Sequence, residues 1–255
     1  MRGIEYNESK CEMINLMQGD CLELMKTIPD GSVDMVLTDP PYGTTTCTWD
    51  SVIPFEPMWE HLNRITKKNG AIVLTASQPF SSALVMSNPK MFKYEWVWRK
   101  PKGTGHLNAK RQPLRNHENV LVFYYEQVGY NPQKTQGDPY RCVNNAQYQG
   151  YGKQVDMVVT DNKDGKRYPV TVQEFSSNMR GSLHPTQKPV ALMEYLIRTY
   201  TNEGETVLDF TMGSGTTGVA AKNLDRDFIG IELDKDYYNI ANKRIENTNP
   251  LGEFM

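Results

Sequence analysis

The chain has 255 residues, 38% of them apolar and 23% charged, with a formal net charge of -2, which suits one large domain or one domain carrying an insertion. So small a net charge excludes a broadly basic nucleic-acid coat, and any nucleic-acid contact must use a local basic patch. No apolar run approaches the roughly 18 residues of a membrane helix. The N-terminus MRGIEYNESK has no signal-peptide core, and Cys11, Cys21, Cys47 and Cys142 show neither CxxC spacing nor histidine partners. The expectation is a soluble, cytoplasmic protein with reduced thiols, no metal site and no membrane partner.

Seven β-rich runs follow along the chain: Ile14 to Met17, Val33 to Thr38, Ala71 to Ala76, Tyr94 to Trp98, Val120 to Tyr125, Thr206 to Phe210 and Phe228 to Leu233. Most end at Gly, Asp or Pro, as strands do. Helical patterning fills the gaps. FEPMWEHLNRITKKNG predicts a helix ending at Asn69-Gly70, and PVALMEYLIRTYTNEG one starting at Pro189 and ending at Gly204. TTGVAAKNLD and DYYNIANKRIEN complete the set. Alternation of this kind predicts an α/β fold, a mostly parallel sheet with helices on both faces. Residues 127 to 182 break the pattern: they are rich in Gln, Asn, Tyr and Gly with little apolar periodicity, and read as an insertion.

Four constellations carry chemistry. TDPPYG follows the apolar run Val33 to Leu37, so a carboxylate, two prolines and a tyrosine form a rigid loop at a strand's end. Asp39 and the constrained Pro40 carbonyl are two acceptors for a group bearing two N–H donors, such as a base's exocyclic amine, and Tyr42 offers a face for stacking. VLDFTMGSGTTG is a strand, a Gly-rich turn and a helix start: Gly213 and Gly215 let backbone approach a ligand, and the helix start behind them offers free amides to an anion. It lacks the lysine of a P-loop. FIGIELD places Glu232 about 20 positions beyond Gly213, the offset at which an acid holds ribose hydroxyls. In HPTQKP, Thr186 and Pro189 can simply cap and start a helix, while Lys188 can equally reach a ligand carboxylate. Since ligands of open α/β sheets bind beyond the strands' C-terminal ends, these loops are expected to meet on one edge.

DPPY, GSGTT, HPTQKP and the strand-like RNHENVLVF (Arg115 to Phe123), in that order, resemble the beta group of S-adenosylmethionine-dependent DNA amino-methyltransferases. The resemblance covers almost the whole chain except the insertion, where that family places its target-recognition region. It implies a Rossmann-like class I methyltransferase sheet, circularly permuted. A catalytic half would span residues 1–126, a target-recognition insertion 127–182 and a cofactor half 183–255. Asp39, Pro40, Pro41 and Tyr42 would be catalytic. Gly213, Ser214, Gly215, Thr216 and Thr217 would surround the methionine part of the cofactor, with His184, Thr186 and Lys188 near its carboxylate. Glu232 would hold the ribose and Asp20 the adenine, the first strand lying mid-sheet beside that of Glu232. Where the family usually has Asp-Pro-Phe, this chain has Asp209-Phe210-Thr211, so which side chain packs on the cofactor stays open.

The resemblance implies duplex DNA as substrate, and it leaves open a homodimer and a cognate restriction endonuclease. Arg99, Lys100, Lys102, Lys110, Arg111 and Arg115, with no acid between the first and last, are expected to form a flexible basic loop that grips phosphates. Asn and Gln in the insertion suit base-edge reading. In this family an acid at the first position of the catalytic motif accompanies adenine and a serine cytosine, so Asp39 favours N6 of adenine. Cytosine N4 is the alternative, with an RNA base or a protein glutamine further off. A protein that binds the cofactor without catalysis is the remaining reading.

Overall fold

In the strands at the centre of the molecule, successive apolar residues enter two different cores. Met35 and Leu37 pack into one and Val36 into the other; Ala71 and Val73 alternate with Ile72 and Leu74, and Val120 and Val122 with Leu121 and Phe123. A sheet buried on both faces requires this pattern, since neighbouring side chains of a strand point to opposite sides. The structure is a computed structural model in which residues 13–44, 50–144, 158–176 and 187–248 are described.

The main sheet contains β1 (Ile14–Gln18), β2 (Val33–Thr38), β3 (Thr66–Ala76), β4 (Phe92–Thr104) and β5 (Arg115–Phe123). The remaining chain adds the short pairs β6 (Thr135–Gln136) with β9 (Lys166–Arg167) and β7 (Tyr140–Asn144) with β8 (Val158–Asn162). It then returns to the sheet as β10 (Val172–Glu174), β11 (Thr206–Asp209) and β12 (Asp227–Glu232). The sheet order is β1-β12-β11-β2-β3-β5-β4-β10. From β1 to β3 the neighbours are parallel, whereas β5 runs antiparallel to both β3 and β4. One core lies under α4 (Val190–Tyr200), α5 (Thr216–Lys222) and α6 (Lys235–Glu246). The other lies under α2 (Phe55–Ile65) and α3 (Phe80–Ser87), with Met25 and Ile28 following the short α1 (Cys21–Leu24). No described helix is long and apolar enough to cross a membrane.

All seven expected strands are present, and three local expectations are corrected. Helix α2 stops at Ile65 rather than at Gly70, because Thr66 is already extended (φ −79°, ψ 136°) and pairs with Val33 across a register shift in β2. Gly70 therefore lies inside β3, where a Cβ would come within 2.8 Å of the Asp34 carbonyl. Helix α4 ends at Tyr200, with Pro189 in an extended cap position rather than inside the first turn. Strand β1 does neighbour the Glu232 strand, with Gln18 opposite Glu232, but it is the sheet's edge and not its middle.

Residues 132–170 form a compact unit of their own, separate from 1–131 with 171–255. That unit is narrower than the polar stretch read from the sequence, since β10 pairs with β4 in the main sheet. Its short hairpins are braced by cations on rings, Arg167 at 4.6 Å from the Tyr140 ring centroid and Lys134 at 4.3 Å from that of Tyr168.

Candidate active site

Parallel strands send their C-terminal ends to one edge, and β1, β2, β11 and β12 deliver Asp20, Asp39, Asp209 and Glu232 there in succession. Because β5 is antiparallel, it contributes its N-terminal end to the same edge, bringing Glu118 and, from neighbouring β4, Lys100. Together they line a cavity of about 510 Å³ that extends from Asp20 and Glu232 at one end past Phe210 and Met212 to Asp39, Tyr42 and Lys188. The volume is that of an ordinary cofactor site.

At the first end, Glu232 is fixed by the backbone: Gly213 N–H donates to one carboxylate oxygen and Asp234 N–H to the other, each at 2.8 Å. Burial holds this carboxyl above its ordinary range, against the pull of those two amides. Gly213 and Gly215 both adopt positive φ (52° and 79°), which makes the turn. The Gly213 and Gly215 amides are themselves taken, by Glu232 and by the Met212 carbonyl. Arg244 of α6 donates to the Ser214 carbonyl and, at 2.9 Å, to its hydroxyl, bracing the loop from behind. Asp20 caps α1 by accepting from Leu22 and Glu23 N–H. Phe210 is buried in the second core and also lines the cavity wall, while Thr216 and Thr217 are buried at the start of α5.

At the other end the side chains are crowded with charge. Asp39 Oδ1 accepts from the Tyr42 hydroxyl at 2.6 Å and from the Thr75 hydroxyl. Its Oδ2 accepts from Lys188 Nζ at 2.6 Å, and the same ammonium lies 3.2 Å from Glu118. Glu118 in turn pairs with Lys100, whose ammonium sits 4.8 Å from the Trp98 ring centroid. Lys188, expected beside the cofactor carboxylate, is thus buried between two carboxylates in the Asp39-loop half of the cavity. Burial alone would lower its pKa, but Asp39 and Glu118 outweigh that and raise it, so it stays an ammonium. Burial, with the charges of Asp39 and Glu118, pushes the Tyr42 phenol well above its ordinary value and keeps it a donor. One face of Tyr42 is already stacked on Phe80, at 5.1 Å and 24°.

Hydroxyls and amides hold the loop in place. Thr38 donates to Asp209 and meets Thr211 Oγ1 at 2.7 Å, and Thr211 donates to the Asp39 carbonyl at 3.2 Å. Asp50 accepts from Gly43 N–H and Thr44 N–H, at 2.8 and 2.9 Å, and pins the loop's exit. Burial raises Asp209 to about 6, although Thr217, Thr38 and the Thr211 amide support its charged form.

The basic stretch is a hairpin rather than a loop, its arms being β4 and β5. Lys100 turns inward to Glu118, and Arg99 forms an exposed pair with Glu174 at 3.3 Å. Lys102, Lys110, Arg111 and Arg115 remain on its surface. His184 and Thr186 lie outside the described residues. Glu118, Thr75, Thr38, Asp50 and Arg244 had no functional signal in the sequence; only the position of Glu118 in RNHENVLVF pointed toward it.

These residues suit a nucleoside cofactor: two carboxylates at one end for hydroxyl and amine donors, an apolar wall, and a Gly-rich turn between them. The family model described as DNA methylase matches residues 33–243. Among curated proteins, the chain is similar to the type II methyltransferases M.HpaI of Haemophilus parainfluenzae (28% identity, 91% of this chain and 74% of that one) and M1.MboII of Moraxella bovis (27%, 91% and 96%). It is also similar to M2.DpnII of Streptococcus pneumoniae (29%, 96% and 92%). Among solved structures, it matches the M1.HpyAVI–SAM complex with a TM-score of 0.62 at 27% identity, over 91% of this chain and 100% of that one. The cytosine-N4-specific PvuII DNA methyltransferase, at 16% identity over 93% and 88% of the two chains and a TM-score of 0.65, shares the fold. With the family match spanning both the Asp39 loop and the glycine turn, the chain belongs to the S-adenosylmethionine-dependent DNA amino-methyltransferases of the N6/N4 family.

Proposed function

We propose that the protein methylates N6 of adenine in duplex DNA, acting on a nucleotide rotated out of the stack. The observation that carries this reading is the state of Asp39. A carboxylate offers about four lone-pair sites. Tyr42, Thr75 and Lys188 occupy three, which leaves one on Oδ2. Beside it stands the Pro40 carbonyl, to which no described residue donates. Two acceptors in one stiff loop match the two hydrogens of a primary amine.

Bound in the cavity, S-adenosylmethionine supplies an electrophilic methyl group on a sulfonium centre. Glu232 and Asp20 would hold its hydroxyls and adenine amine, Gly213 to Thr217 its methionine part, and Phe210 part of its apolar wall. Asp39 Oδ2 and the Pro40 carbonyl each accept one hydrogen of the target amine. That withdraws the nitrogen from conjugation with the ring and aims its lone pair at the methyl group. The three fixed donors on Asp39 keep the carboxylate in one rotamer, so alignment is prepaid before the base arrives. Once alkylated, the nitrogen is cationic and acidic, and it releases its proton from a position hydrogen-bonded to Asp39. Tyr42, packed on Phe80 from one side and with the Lys188 ammonium 5.8 Å from its ring centroid, lines the cavity where the base would stack.

Preference for adenine rests on the acid at the first position of DPPY. The family tie and the polar insertion support DNA over an RNA base or a protein amide. Residues 127–182 are read as the target-recognition region, and the type II naming of the relatives favours a cognate endonuclease as companion.

The test is transfer of labelled methyl from S-adenosylmethionine to mixed-sequence duplex DNA, followed by separation of the nucleosides. Label in N6-methyladenine is the expected result. Label in N4-methylcytosine would overturn the base assignment while leaving the Asp39 chemistry in place.

A further inference from the structure

Leu107 is the most exposed large apolar residue among those described, at 102% of its reference area. It stands at the tip of the β4–β5 hairpin, whose last strand pair before the turn, Thr104 and Arg115, lines the active-site cavity. The tip has a defined shape. Gly105 turns it with φ 90°, His106–Asn108 form a short 3-10 turn, and the amides of Asn108, Ala109, Arg111 and Gln112 bond back to Gly105, His106 and Asn108 carbonyls. At the neck, Gly103 passes so close to Leu114 that a Cβ would sit 2.7 Å from it. Lys102, Lys110, Arg111 and Arg115 surround the tip, and among the described residues none of the four is in an ion pair.

Single exposed apolar residues are common. One held in full solvent by a hydrogen-bonded turn, ringed by unpaired cations and mounted on the rim of a base-handling cavity is a different object. The cations suit phosphates on either side of a groove. An apolar side chain between them can enter a base step and offset the loss of stacking, as apolar wedges do in proteins that distort DNA. Extruding a base leaves a gap opposite its partner, and the cost of that gap falls on the enzyme.

We propose that Leu107 is inserted into the duplex and fills the place vacated by the target nucleotide, while Lys102, Lys110, Arg111 and Arg115 hold the flanking phosphates. This rests on the reading that the enzyme acts on an extruded base.

The experiment compares wild type with Leu107→Ala and Leu107→Phe on a duplex containing the site that the wild type methylates, in two versions. One is fully paired; the other has an abasic position opposite the target, which lowers the cost of extrusion. Single-turnover methyl transfer by Leu107→Ala is expected to fall about tenfold or more on the paired duplex and to recover to near the wild-type rate on the abasic one. Leu107→Phe keeps an apolar wedge and is expected to retain most of the activity on both. The dependence on salt should be unchanged, since no charge is altered. Equal rates for Leu107→Ala and wild type on the paired duplex would overturn the proposal, and so would an equal loss on both duplexes. A wild type and a Leu107→Ala variant that are both equally fast on the abasic and paired duplexes would instead defeat the extrusion reading itself.

Discussion

The two ends of the cavity are built on opposite plans. Around Glu232 the protein uses backbone: two amides hold the carboxylate, a left-handed turn shapes the loop, and no described cation pairs with the carboxylate. Around Asp39 it uses side chains: a phenol, a hydroxyl and an ammonium converge on one carboxylate, and a second carboxylate shares the ammonium. Backbone amides suit a site that must present an acceptor to neutral hydroxyls in one fixed orientation. A converging set of side-chain donors suits a site where a carboxylate must stay unrotated and one acceptor short of saturation. On the proposed function, substitutions at the Asp39 end should act on the chemical step and those at the Glu232 end on cofactor affinity.

The largest effect is expected at Asp39. Asp39→Asn replaces an acceptor by a side chain that must donate through one of its two positions, and methyl transfer should fall at least about a thousandfold, comparable to loss of a principal electrostatic group. Cofactor affinity measured by calorimetry should change less than about threefold, because the fixed Glu232 end is untouched. A matching loss of affinity would erase the distinction between the ends. Next comes Glu232→Ala, which removes the acceptor and frees the Gly213 and Asp234 amides. Cofactor affinity should drop by roughly ten- to a hundredfold, with a smaller change in rate at saturating cofactor.

The smallest effect concerns stability. Asp209 is buried between the two plans and its carboxyl is raised to about 6 from 3.8. A raised acid favours the fold in its protonated form, so this contribution is complete below about pH 3.8 and is lost as pH rises through about 6. Asp209→Asn cannot titrate. In urea unfolding, wild type should therefore lose on the order of 2 kcal/mol relative to Asp209→Asn between pH 4 and pH 7. A constant gap between the two proteins across that range would show that Asp209 ionises normally.

How much of this could be read from the sequence follows from how each residue reaches the edge. Asp39, Glu232 and the Gly213 turn follow directly on apolar runs that are parallel strands, so run and motif together place them. Glu118 and Lys100 arrive through an antiparallel pair, at the start of one strand and near the end of another, and periodicity does not reveal strand direction. Lys188 precedes a helix, where capping and ligand binding look alike. Its true neighbour, Asp39, is 149 positions away. The overrun of α2 has the same origin: the pairing of Thr66 with Val33 is a tertiary contact that helix-end signals do not contain. The described strands within 132–170 pair over only two residues (β6 with β9) or five (β7 with β8), too few for apolar alternation to stand out.

The most direct test of the division between the two ends is Lys188, which the family resemblance puts beside the cofactor and the structure puts on Asp39. Wild type, Lys188→Met and Lys188→Arg would be compared in cofactor affinity and in the rate of single-turnover methyl transfer. Without the ammonium, Asp39 loses the donor that fixes Oδ2. The rate should fall about tenfold or more in Lys188→Met and return part of the way in Lys188→Arg, with cofactor affinity within about threefold of wild type. An unchanged rate, together with a large loss of cofactor affinity, would contradict the account and assign Lys188 to the cofactor.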